Sequence, residues 1–323
     1  MSYLLTNPSA LSALQSLQQT QSELATTQRQ VSSGLSVATA SDNAAYWSIA
    51  TQLNSDSGVV TAANSSLTQS QAVLSTASSA ISSVITTINS IESALTEATN
   101  PGADLGNINT TLASLSQQLT EAVSGASFNG LNVLDGSTAT AAAEAATPPT
   151  ATAGVAGTPT TSGTPATSTL SFVSGFNATS SGGTFTTIAL STQALTGTGG
   201  ILTSQGVAGS TLAAPVDLTK LGSGAETVTA ANVTTLMAGV EQAMSSLTNY
   251  AATIGSTQDQ MTAAATFNSA LTTNYAEGVS GLVDANMNTA STQLQALQTQ
   301  EQLGIQSLSI ANQNSQLILK LFS

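Results

Sequence analysis

The sequence predicts a mainly α protein: long coiled-coil helices from both termini, one β-hairpin, and a small β-rich domain in the middle of the chain. Three observations carry this. Apolar residues recur at alternating spacings of three and four over both flanks of the 323-residue chain, the signature of helices packed along their length. Five of the seven prolines (Pro148, Pro149, Pro159, Pro165, Pro215) fall between those flanks, where long helices are excluded. Asn129-Gly130 and Asp135-Gly136 bracket the short run Leu131 to Leu134, and both dipeptides favour tight turns with positive φ.

The elements follow in order. Leu14, Leu17, Leu24 and Val31 occupy seam positions of a first helix, with Gln21 and Gln28 between them, and Gly34 is its C-cap. Ser41 or Asp42 is expected to cap the next helix. Its seam runs unbroken through Val60, Ala63, Leu67, Ser70, Leu74, Ala77, Ile81, Val84, Ile88, Ile91, Leu95 and Ala98. Pro101-Gly102 ends it, and Asp104 caps a third helix with seam Leu105, Ile108, Leu112, Leu115, Leu119 and Ala122. In the middle part, Leu170 to Val173 and Thr184 to Leu190 predict strands, with Phe172, Phe176, Phe185 and Ile188 as a minimal core. The helical pattern resumes with Val233, Met237, Val240, Met244, Leu247, Ala251 and Ile254. The last seam is Val283, Met287, Ala290, Leu294, Leu297, Glu301, Gly304, Leu308, Ala311, Ser315, Ile318 and Phe322.

Composition excludes several function classes. There is no His and no Cys, so no nucleophile activated by a histidine and no thiolate or imidazole metal site; no cofactor is expected. Three basic residues against sixteen acidic ones give a net charge of -13. Nucleic acid and anionic membrane surfaces are therefore poor partners. Charged residues make up 6% of the chain, against about 25% in average soluble domains. A surface of Ser, Thr, Asn and Gln lacks the charges that normally oppose self-association.

The two ends are poorly suited to standing alone. Isolated helices are marginal in water, and one apolar seam does little against the entropy of ordering some 40 residues. Leu282, Leu303, Ile305, Ile310, Leu317 and Leu319 lie on other faces of the last helix, and a helix apolar on several faces expects burial on several sides. The economical inference is that the ends pair and bury their remaining faces against further copies, as in rings or helical filaments. Tyr46 and Trp47 are expected as packing residues, and Trp47 is the only Trp.

Val31-Ser32-Ser33-Gly34-Leu35 and Ala40-Ser41-Asp42-Asn43-Ala44-Ala45-Tyr46-Trp47-Ser48-Ile49-Ala50-Thr51 resemble the N-terminal signature of bacterial flagellins, in the form of alphaproteobacterial, rhizobium-like members. Phe128-Asn129-Gly130 through Asp135-Gly136 is similar to the family's hairpin, and Leu282 to Asn288, Leu297 to Gln300 and Leu303 to Asn312 resemble its terminal helix. The chain departs from the common pattern at Gln30, where many members have Arg, and at Asn43, where many have a second Asp. The resemblance implies five segments: 1–42, an inner-core helix and connector; 43–136, a helical shaft with the hairpin; 137–228, a variable outer β-rich domain; 229–278, a second shaft helix; and 279–323, the C-terminal inner-core helix. It implies a secreted, non-enzymatic subunit of the swimming filament, exported by the flagellar type III apparatus. Self, an export chaperone, hook-junction proteins and cap proteins are the implied partners. The residues expected to carry assembly and packing are Leu14, Leu17, Leu24, Val31, Gly34, Asp42, Asn43, Tyr46, Trp47, Leu294, Leu297, Leu308, Ile318 and Phe322. A hook-filament junction protein is the neighbouring reading. A secreted enzyme with a hydrolase insert is the distant one, since the insert offers no His and only Glu144, Asp217 and Glu226 as acids.

Overall fold

The computed structural model describes residues 7–135, 167–178, 183–197, 199–203 and 216–321, with the side chains of 314–321 outside that description. Phe322, Gly136 and the Ile318 side chain therefore lie outside the described residues. Among the described residues there are five helices: α1 Pro8–Ser33, α2 Ala44–Ala98, α3 Leu105–Ser124, α4 Val233–Val283 and α5 Met287–Leu321. Two antiparallel hairpins interrupt them, β1 Ser127–Phe128 with β2 Leu131–Asn132, and β3 Thr167–Asn177 with β4 Thr184–Gln193. The chain divides into two compact units, Met1–Gly58 with Leu271–Ser323, and Val59–Ala270.

Local chemistry sets the element ends. Asn7 caps α1 by accepting from the Ser9 and Ala10 N–H groups, and Pro8 follows at the first helical position. Gly34 ends α1 at φ 73°, its N–H donating to the Gln30 carbonyl. Asn43, not Ser41 or Asp42, caps α2: its Oδ1 accepts from the Ala45 and Tyr46 N–H groups at 3.1 and 3.2 Å. Asp42 faces the other way and accepts from the Ala38 and Thr39 N–H groups, closing the preceding turn. Asp104 caps α3 and Asn286 caps α5 in the same manner. Asn129 and Gly130 take φ 52° and 79° between β1 and β2, the mirror-image turn that their pairing requires.

In the Val59–Ala270 unit all twelve seam residues of α2 from Val60 to Ala98 are buried. Leu67 and the apolar seam residues from Leu74 to Ala98 share one continuous core with Leu112 and Leu119 of α3 and with Leu236, Val240, Leu247 and Ile254 of α4. The α4 seam differs from expectation in alternate positions: Leu236, Ala243 and Tyr250 are buried, whereas Met237, Met244 and Ala251 lie half-buried at its edge. The β3–β4 hairpin does not rest on a four-residue core of its own. Phe172 is buried, but Phe185 is 54% exposed and stacks obliquely on Phe176, the ring centres 5.5 Å apart. Leu170, Phe172, Leu190, Leu195 and Leu202 instead join the core of the helices.

Backbone contacts hold that hairpin in place. The Asn268 amide of α4 donates to the Ser174 carbonyl at the bulge between Val173 and Gly175. The Tyr250 hydroxyl donates to the Val133 carbonyl, and burial pushes its pKa up to about 12. Residues 216–228 form a strap over α3. Asn109 donates to the Val228 carbonyl and accepts from the Val228 N–H at 3.1 and 2.7 Å. Gly222, at φ 76°, comes so near that a Cβ would sit 2.1 Å from the Asn109 carbonyl oxygen.

Candidate assembly surface

The Met1–Gly58 and Leu271–Ser323 unit brings the two chain ends together. α1 and α5 run antiparallel, the order being visible in four pairs. Asn7 donates to the Ala311 carbonyl at 2.9 Å, Leu17 lies against Gly304, Gln21 donates to Glu301 at 3.3 Å, and Leu35 bridges Asp284. The approach is close: a Cβ on Gly304 would lie 3.1 Å from Leu17 Cδ1, which would have to yield by a few tenths of an ångström.

The seam on α1 consists of Ala10, Ala13, Leu17, Thr20, Leu24, Thr27 and Val31, each half-buried or buried. Leu14, Gln21 and Gln28 lie outside it, exposed, and Leu14 keeps 40% of its surface in solvent. On α5 the expected seam holds from Ala290 through Leu294, Leu297, Glu301, Gly304, Leu308 and Ala311, whereas Met287 is 42% exposed. The connector closes the pair. Ser36 and Val37 N–H groups donate to the Val283 carbonyl, and the Ala285 N–H donates to the Gly34 carbonyl. Val37, Ala50 and Val283 form a small buried cluster there, with Leu35, Val279 and Leu282 packed around it. Three hydrogen bonds from Thr39 and Ala38, with Arg29 nearby, hold the Asp42 carboxyl below its ordinary value.

The pair leaves much apolar surface unpartnered within one copy. Leu11, Leu303, Ile305 and Ile310 are each more than half exposed, and Tyr46, Trp47 and Ile49 at the start of α2 are 46%, 40% and 48% exposed. Tyr46 and Trp47 are thus not enclosed within a single copy. A groove of about 900 Å³ runs beside the pair, between Ser9, Ser12 and Ser16 of α1 and Gln300, Leu303 and Ser307 of α5. No charged residue occurs from Pro8 to Ser22 or from Met287 to Gln300, so a second acidic copy would meet little repulsion there. Two contributors carried only a weak signal in the sequence: Leu11, opposite the seam, and Ile49, hidden in an unperiodic stretch.

A paired coiled coil whose polar exterior carries several exposed large apolar side chains, with no cluster of metal-ligating residues among the described residues, has the character of a structural subunit. Comparison with known proteins makes this specific. The family model for the bacterial flagellin N-terminal helical region matches residues 4–139, and that for the C-terminal helical region matches residues 237–322. Flagellin C of Rhizobium meliloti (strain 1021) is 36% identical over all of this chain and 99% of its own length. The flagellin of Brucella melitensis biotype 1 is 33% identical with the same coverage, and flagellin FljM of Caulobacter vibrioides is 30% identical over 98% of this chain and 97% of its own. The chain belongs to the bacterial flagellin family. It is accordingly a structural subunit of the extracellular flagellar filament, serves motility and is not an enzyme. Among the described residues no helix is long and apolar enough to cross a membrane.

Proposed function

We propose that this subunit polymerises by burying, against neighbouring copies, the apolar faces that its own α1–α5 pair leaves open. The observation that carries the reading is the coexistence of a satisfied seam with unpartnered Leu11, Leu14, Leu303, Ile305 and Ile310 on the same two helices. Leu17, Leu24, Val31, Leu294, Leu297 and Leu308 hold the pair together, while Gly34, Asp42 and Asn43 shape the connector. Tyr46 and Trp47 contribute contact surface beside it. Ile318 and Phe322 extend the same role toward the C-terminus. In this reading, segments 1–42 and 279–323 line the filament, segments 43–136 and 229–278 form its shaft, and 137–228 faces outward. The export chaperone, the hook-junction proteins and the cap proteins are partners by family likeness, as is passage through the type III apparatus.

Hydrogen exchange tests the reading. Amides of α1 and α5 should exchange rapidly in dilute monomer and become protected by orders of magnitude in the polymer, because local openings track buried contacts. Terminal amides already fully protected in the monomer would mean that the pair needs no neighbour.

A further inference from the structure

The α1–α5 seam is ambiguous in register. Leu17 and Gln21 recur seven residues later as Leu24 and Gln28, so α1 offers the same Leu–Gln combination twice on one helical face. The structure uses the first: Leu17 sits against Gly304 and Gln21 donates to Glu301. A slip of one heptad, about 10.5 Å at 1.5 Å per residue, would bring Leu24 to Gly304 and Gln28 to Glu301. Two further layers keep side chains of similar size, Thr27 taking the level of Thr20 and Val31 that of Leu24; the Asn7–Ala311 hydrogen bond, at the far end of the pair, would be lost. Volume-compatible layers of this kind discriminate weakly between registers.

The connector does not share this ambiguity. Gly34, Ser36 and Val37 are held to Val283 and Ala285 by three backbone hydrogen bonds of 2.7 to 3.2 Å, and the Ser36 hydroxyl adds a fourth to the Val283 carbonyl. Val37 and Val283 are both buried against Ala50. None of these contacts survives a heptad slip, because each joins one fixed residue to another. We propose that the connector, Gly34–Val37 with Val283–Ala285, selects the register in which the chain ends pair, and that the seam alone admits a second register one heptad along. This does not depend on the filament reading, since it concerns one copy only.

The absence of Cys from the chain makes the register directly measurable. The Leu17 Cβ lies 3.9 Å from a Cβ built on Gly304, inside the disulfide range of about 3.5–4.5 Å. Leu17→Cys with Gly304→Cys reports the observed register, and Leu24→Cys with Gly304→Cys reports the slipped one. Full-length chains would be oxidised and intrachain disulfides quantified by peptide mass. With the connector intact, the first pair should cross-link about tenfold or more above the second, the discrimination of a few backbone hydrogen bonds. With the connector broken by Val37→Asp, or independently by Gly34→Val, the slipped disulfide should rise to within about threefold of the other. A slipped pair that stays silent in both connector variants overturns the proposal, whether or not the first pair still forms. So does a slipped disulfide that forms in the intact chain as readily as the first pair.

Discussion

Asn109 holds the returning strap with both ends of its amide, donating to the Val228 carbonyl and accepting from the Val228 N–H. Truncation strands both backbone groups beside α3. Asn109→Ala should lower unfolding stability by about 2 kcal/mol, the cost of leaving partly buried polar groups unpaired; a denaturant midpoint within error of the parent would refute this. Glu226 on the same strap is 7% exposed with one carboxyl oxygen lacking a partner. Burial raises its pKa and Asp217 adds to the rise, whereas the Asp217 N–H and Lys220 oppose it. The folded chain therefore holds this proton more tightly than the unfolded chain. Its contribution to stability grows as pH falls through the raised folded value and is complete below the unfolded value. Glu226→Gln should remove that gain, leaving melting temperature less dependent on pH between neutrality and the ordinary glutamate range near 4–5. Parallel pH profiles for the two proteins would dismiss the assignment. None of this was legible in the sequence, because Asn109 and Val228 are 119 residues apart and no local pattern joins them.

At the scale of elements, the helices were readable and their phase only partly so. The α2 seam was unmistakable because Leu, Ile and Val alternate with Ser and Thr over ten turns. On α1 and α4 the contrast is lower. Leu14 stands beside Ala13, Met237 beside Leu236 and Ala251 beside Tyr250, so the apolar pattern alone admits a phase one residue off at alternate seam positions. Ser41, Asp42 and Asn43 all have cap chemistry, and only the fold shows that Asp42 closes the turn while Asn43 caps. The phase has a consequence for variants. Leu24→Ala should weaken the soluble α1–α5 pair by about 2 kcal/mol. Leu14→Ser should change soluble stability by less than about 0.5 kcal/mol yet raise the critical concentration for polymerisation severalfold. Equal effects of the two on soluble stability would place Leu14 back in the seam. Trp47 offers a second check: 40% exposed in one copy, it should shift its emission to shorter wavelength on polymerisation. An unchanged spectrum would remove it from the contact surface.

Over the whole molecule, charge opposes association and apolar surface drives it. Sixteen acidic and three basic residues leave a net charge of -13, and one of the bases, Lys220, is paired to Asp217 at 2.9 Å. Copies brought together repel, with a range set by a Debye length of about 10 Å at 0.1 M salt. Added salt or mild acid should therefore lower the critical concentration, as pelleting assays over both variables would show; indifference to both would mean that charge does not limit assembly. The central claim is that the open faces of the terminal pair build a polymer. Its most direct test is to seed purified full-length chain with filament fragments, raise the salt, and image the pelleted product by electron microscopy. The account predicts long, uniform tubes that grow from the seeds and do not form with Leu14→Ser at the same concentration. Absence of polymer from the parent chain at any salt or pH would contradict it.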